Sequence, residues 1–107
     1  MAFLLWGCSK GPDADLALIG EARSLGAEWA LVNEQAQKKQ LTPIYTETMR
    51  KKLREQLQSM QSSLTQPASE YSREINALLQ ERDDAAPGAL RAHVEKLKQI
   101  EDKLESA

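Results

Sequence analysis

The chain has 107 residues, 41% of them hydrophobic and 28% charged, and its 14 basic and 16 acidic side chains leave a net charge of -2. That is one domain's length, too apolar for a disordered tail, and its near-balance of charge supplies no field to gather nucleic acid. One cysteine and one histidine exclude an internal disulfide and the common structural zinc sites, and no apolar run reaches the roughly eighteen residues of a membrane-spanning helix.

The first ten residues carry no charge before Lys10, and the character changes abruptly at Gly11-Pro12-Asp13. Within them, Leu5-Trp6-Gly7-Cys8 resembles the lipobox of bacterial lipoproteins, whose general form is Leu-x-(Gly/Ala/Ser)-Cys. A small residue before the cysteine lets a signal peptidase reach the scissile bond, and the thiol carries the diacylglycerol. The resemblance implies lipidation of Cys8, acylation of its freed amino group, and the multiple-chain anchorage that stable membrane attachment needs. Ser9 and the following Gly11-Pro12-Asp13-Ala14-Asp15 then serve as a tether, and Ser9 is similar to the outer-membrane sorting pattern of enteric lipoproteins. Trp6 is bulkier than the pattern's usual residue. The stretch before Cys8 is also short of a basic region followed by roughly 7–15 apolar residues, so Phe3 to Trp6 is expected to be the remnant of a longer signal peptide whose start codon lies upstream. Two other readings remain: an apolar extension docked on the helices with Cys8 an ordinary thiol, or a redox or catalytic thiol, which no neighbouring base favours.

From Pro12 onward the pattern is helical, and four segments are expected over 13–40, 43–65, 67–82 and 85–105. In the first, Leu18, Ala22, Leu25, Trp29, Val32 and Ala36 recur at alternating three- and four-residue spacing, a heptad seam. Asp13 and Asp15 precede it and Lys38 and Lys39 close it, the order the helix dipole favours. Gly20 and Gly26 lower helix propensity and suit close approach by a partner helix. Leu16, Ile19 and Leu31 lie off the stripe, which points to two neighbours. The seam also offers a route to a homodimer.

Thr42 can cap the second helix and Pro43 suits its first position. Met49, Leu53, Leu57, Met60 and Leu64 form its narrow apolar stripe, and the short connection makes helices one and two antiparallel neighbours. The third helix is expected to run from Pro67 to Arg82 with Ala68, Tyr71, Ile75, Leu78 and Leu79 inward and Glu70 in its first turn. Asp83 and Asp84 are better placed to start a helix than to end one, so they are assigned to the entry of the fourth. That helix buries Leu90, Val94, Leu97, Ile100 and Leu104. Nothing in the chain survives as a strand or an internal repeat.

The densest charge cluster is Arg50-Lys51-Lys52 with Arg54, and Lys38 and Lys39 lie close to it across the first turn. Lys38, Lys39, Arg50, Lys51 and Arg54 are the candidate contacts for anionic lipid headgroups or an acidic partner, at about 1 kcal/mol each near a membrane. The competing reading is a solvated face: successive side chains fan out by about 100°, Glu47 pairs with Lys51 at i,i+4, and Glu55 offsets part of the field. His93 falls at the edge of the fourth helix's stripe and reads as a half-buried packing residue. No metal-ligand spacing, phosphate loop or catalytic constellation is present, so no catalytic residue, metal or cofactor is assigned.

The sequence therefore predicts an all-α protein, a four-helix antiparallel bundle or two packed helical hairpins, with residues 1–11 as remnant signal peptide and tether and 12–107 as one helical domain. Its expected role is that of a non-enzymatic envelope lipoprotein facing the periplasm, lipid-anchored to the membrane and presenting a helical module to an envelope protein partner. Nucleic acid is not expected as a partner. The alternative is a cytoplasmic helical adaptor or self-associating module with a docked apolar N-terminus.

Overall fold

A computed structural model describes residues 12–106. Among them lie four helices: α1 (Pro12–Gln37), α2 (Pro43–Ser63), α3 (Glu70–Leu79) and α4 (Pro87–Glu105). The molecule is all-α. Each of α1–α2 and α3–α4 is an antiparallel hairpin, and the long first hairpin overhangs the shorter second one. The closest helix pair is not a hairpin, however: α1 packs most extensively on α4, next on α2, while α2 and α4 barely meet.

The breaks have local causes. Lys39 adopts a left-handed backbone with φ of 58°. The Lys39 N–H bonds the Ala36 carbonyl at 3.0 Å and the Gln40 N–H bonds the Gln35 carbonyl at 2.9 Å. These two bonds make a Schellman ending that satisfies orphan carbonyls of α1. Thr42 then caps α2, accepting from the Tyr45 N–H at 3.1 Å, with Pro43 at the first helical position.

The third and fourth helices depart from the sequence expectation at their starts. α3 begins at Glu70 rather than Pro67, because Ser69 is the residue whose hydroxyl receives the free Ser72 N–H at 3.1 Å. Pro67 and Ala68 lie in the preceding turn, and Ala68 is exposed. Asp83 and Asp84 do not cap α4. They form a turn closed by the Ala85 N–H on the Arg82 carbonyl at 2.9 Å, and Ala86 precedes Pro87 without any side-chain cap.

The core is mostly apolar on the last three helices, where Thr46 and Ser72 are its buried polar members, and more mixed on the first. Leu53, Leu57 and Met60 of α2, Tyr71, Ile75 and Leu78 of α3, and Leu90, Leu97 and Ile100 of α4 are buried as their stripes require, whereas Met49, Leu64, Val94 and Leu104 at the stripes' margins are half-buried. On α1 the deepest seam is Asp15, Ile19, Ala22, Gly26, Trp29 and Asn33. It shares Ala22 and Trp29 with the apolar stripe read from sequence, but Leu18, Leu25 and Ala36 are only half-buried. The rotation has a physical reason. Close packing favours the small face: a Cβ on Gly26 would stand 2.8 Å from Val94 Cγ2 and 3.2 Å from Leu78 Cδ2. Turning that face to α4 carries Asp15 and Asn33 inward as well. Ala22, Trp29 and Val32 of the sequence seam are buried within the chain.

Candidate functional site

Two buried polar groups fix the hairpins against each other, one at each end of α1. Near its start, the fully buried Asp15 carboxylate accepts from the Thr65 N–H at 3.0 Å, the Thr65 hydroxyl at 3.1 Å and the Tyr71 hydroxyl at 2.5 Å. This ties the α2–α3 connection to the first turns of α1. Burial, and next the bond to Asp15, push the Tyr71 phenol up to about 12.

Toward the other end, the α3–α4 connection is gripped through its backbone. Trp29 Nε1 donates to the Asp83 carbonyl at 2.9 Å, and Asn33 Nδ2 donates to the carbonyls of Asp83 at 3.0 Å and Ala85 at 2.8 Å. The Asn33 oxygen in turn accepts from Arg50 Nε at 2.8 Å. Arg54 reaches across from α2 to the carbonyls of Leu79 at 2.8 Å and Glu81 at 2.9 Å, and pairs with the Asp83 carboxylate at 3.3 Å. A connection without regular structure thus finds partners for its buried carbonyls, as it must.

Arg54 also marks the level at which α3 stops. The α2 turns before it have no α3 beside them, and an open groove of about 1090 Å³ occupies that quadrant. Its apolar end is Ala36, Leu41 and Pro43, its long wall is the α2 face carrying Glu47, Arg50 and Lys51, and only Asp83 comes from the second hairpin. Ile44, 78% exposed, is the barest large apolar side chain among the described residues, followed by Tyr45 at 50%. By helical angle Ile44 sits beside Lys51 on the groove's rim, and Tyr45 faces away. An opening this large and shallow suits a macromolecular contact better than a small ligand, which prefers a deep pocket.

The five basic residues singled out from sequence do not act as one patch. Arg50 and Arg54 are half-buried and turned to Asn33 and to the Trp29 connection. Lys38 pairs with Glu34 at 3.6 Å on α1, and Glu34 also binds Arg91 of α4 at 2.6 Å, contacts that hold its carboxyl below the usual range. Lys39 and Lys51 are exposed on the groove. Neither Glu47 nor Lys51 forms an ion pair among the described residues, so the i,i+4 bridge expected between them is not closed. Cys8 lies outside the described residues.

His93 is half-buried, as its place on the stripe suggests, but its surroundings are more specific than a packing role requires. Its Nδ1 is 2.6 Å from Glu74 Oε2 and its Nε2 is 2.7 Å from Glu81 Oε2, so both ring nitrogens face carboxylates from the α3 side. Burial pulls the imidazole pKa down. The bonds to Glu74 and Glu81 outweigh it, and the net shift is upward from 6.5. The carboxylates grip opposite edges of the ring, an arrangement for holding a charged imidazole rather than for ligating a metal. Among the described residues no group of three or more His, Cys, Asp or Glu is placed to hold a metal ion. No described helix is long and apolar enough to cross a membrane.

Sequence reasoning missed Asp15, Asn33 and Ile44. The signal for the first two was present: together with Trp29 they fall on one alternating four- and three-residue spacing, which apolar pattern-matching skips because the residues are polar. No protein-family model, curated protein or solved structure matches the chain.

Proposed function

We propose that this protein is a non-enzymatic envelope lipoprotein, acylated at Cys8, that holds a helical contact module away from the membrane. The single observation that carries the reading is the placement of the groove. It opens at the tip of the α1–α2 hairpin, and α1 starts at Pro12, four positions after Cys8. The 26 residues of α1 span about 39 Å between those ends. A chain tethered at Cys8 therefore carries its barest apolar residue, Ile44, at the distal end, where a partner rather than the anchoring bilayer would meet it.

The inward commitment of Arg50 and Arg54 supports the same reading. With those two guanidinium groups used inside the fold, only Lys38, Lys39 and Lys51 of the five candidate basic residues remain for headgroup attraction, and Lys38 is paired with Glu34. Anchorage then rests on acyl chains and contact rests on the tip.

The test is metabolic labelling with a fatty-acid analogue in cells expressing the gene from its own reading frame. Wild type should be labelled and sediment with membranes, and Cys8→Ser should lose both properties. If wild type stays unlabelled and soluble, the anchor is refuted.

A further inference from the structure

We infer that the groove at the hairpin tip is the contact surface for a second copy of this chain, paired α2 against α2 in antiparallel orientation. The inference deepens the reading of the tip as a contact module and does not depend on acylation of Cys8.

Charge pattern selects the occupant. A purely acidic or purely basic partner would meet repulsion, because the exposed charges of the groove mix Lys39 and Lys51 with Glu47 and Glu55. Like charges brought together across an interface oppose binding strongly, whereas a mixed face fits a partner carrying the same pattern in reverse. The same helix turned end for end is such a partner. With a two-fold axis at the level of Met49, Glu47 stands opposite the partner's Lys51 and Lys51 opposite the partner's Glu47. The contact is isologous, so one favourable pair is made twice.

The fold leaves these groups free for that role. Glu47 and Lys51 are exposed and make no ion pair among the described residues, although they are one turn apart on the same helix. Ile44 lies on the same face at 78% exposure, and pairing removes part of that apolar surface from water. The quadrant itself exists because α3 has 10 residues against 21 in α2, so the second hairpin cannot fill the space beside Pro43 to Lys51. An α2 from another copy supplies the missing helix.

The experiment is sedimentation velocity on the full-length chain carrying Cys8→Ser, over a wide concentration series. The parent should dimerise. Lys51→Glu and Glu47→Lys should each weaken the dimer at least about tenfold, since each places like charges opposite one another twice. Mixing the two single variants, or combining both changes in one chain, should restore it. Circular dichroism should be unchanged, because both side chains are exposed. A parent that sediments as a monomer throughout overturns the inference, and so does a dimer indifferent to either charge reversal, which would place association elsewhere. Neither result touches the labelling test of Cys8, so the two readings fail separately.

Discussion

The Arg54 guanidinium lies 5.1 Å from the centre of the Trp29 ring, stacked over a side chain that is itself fully buried. From that position it also donates to the Leu79 and Glu81 carbonyls, so one residue of α2 covers the largest core ring and secures the end of α3. Arg54→Ala should destabilise the fold by about 2–4 kcal/mol, since charged hydrogen bonds and the cation–π contact are lost together. Arg54→Lys should cost about half as much, keeping the charge without the planar fork. Trp29→Ala should cost about 3–5 kcal/mol. Urea unfolding, with the slope checked for constancy, measures all three.

The Glu74–His93–Glu81 bridge makes stability depend on pH near neutrality. The folded-state pKa of His93 lies above its unfolded value of 6.5. Its contribution is therefore fully present below about pH 6.5 and is lost as pH rises through the higher folded value. The urea midpoint of wild type should fall across that window, and His93→Gln should flatten this part of the profile. Because the chain has one histidine, its ring resonances report the titration without ambiguity in NMR.

Two glycines of α1 should answer oppositely to alanine. At Gly26 the new Cβ meets Val94 Cγ2 at 2.8 Å, and the β-branched valine has little freedom to retreat. Gly26→Ala should destabilise by about 1–3 kcal/mol despite its better helix propensity. At Gly20 the nearest atom is Glu101 Oε2 at 3.4 Å, the end of a flexible side chain. Gly20→Ala should be neutral or stabilise by up to about 1 kcal/mol. Thermal unfolding of the pair separates close packing from a general effect of glycine removal.

Tyr71→Phe should weaken the anchoring of the α2–α3 connection by about 1.5–3 kcal/mol, because it takes a donor from a buried carboxylate. The phenol also sets an alkaline limit. With the folded value near 12 against an ordinary 10, its contribution is intact below pH 10 and declines as pH rises toward the folded value. Chemical unfolding of wild type and variant on either side of pH 10 should show their difference shrinking at the higher pH.

The four helices were legible because their breaks are chemical: Thr42-Pro43 and Pro87 each stand where the backbone requires them. Ser69 was overlooked as a cap because Pro67 offered an earlier start. Asp83 and Asp84 misled for a related reason. Their charges suited a helix entry, but the fold uses the Asp83 carbonyl, which a reading of side chains does not see. The polar seam of α1 was hidden by its polarity, since Asp15 and Asn33 become core residues only once Thr65, Tyr71 and the 83–85 turn arrive from far along the chain. The basic cluster was visible as composition, whereas its division between Arg50 and Arg54, facing inward, and Lys51, facing out, depends on where the second hairpin lies.

Anchorage at one end and contact at the other is the arrangement on which the functional account depends, and the mass of the mature N-terminal peptide examines it at the atom concerned. Protein recovered from the membrane fraction should begin at Cys8 and carry the added mass of a thioether-linked diacylglycerol, with or without an amide-linked acyl chain. A membrane-fraction or soluble product that retains residues 1–7 and an unmodified Cys8 thiol would contradict it.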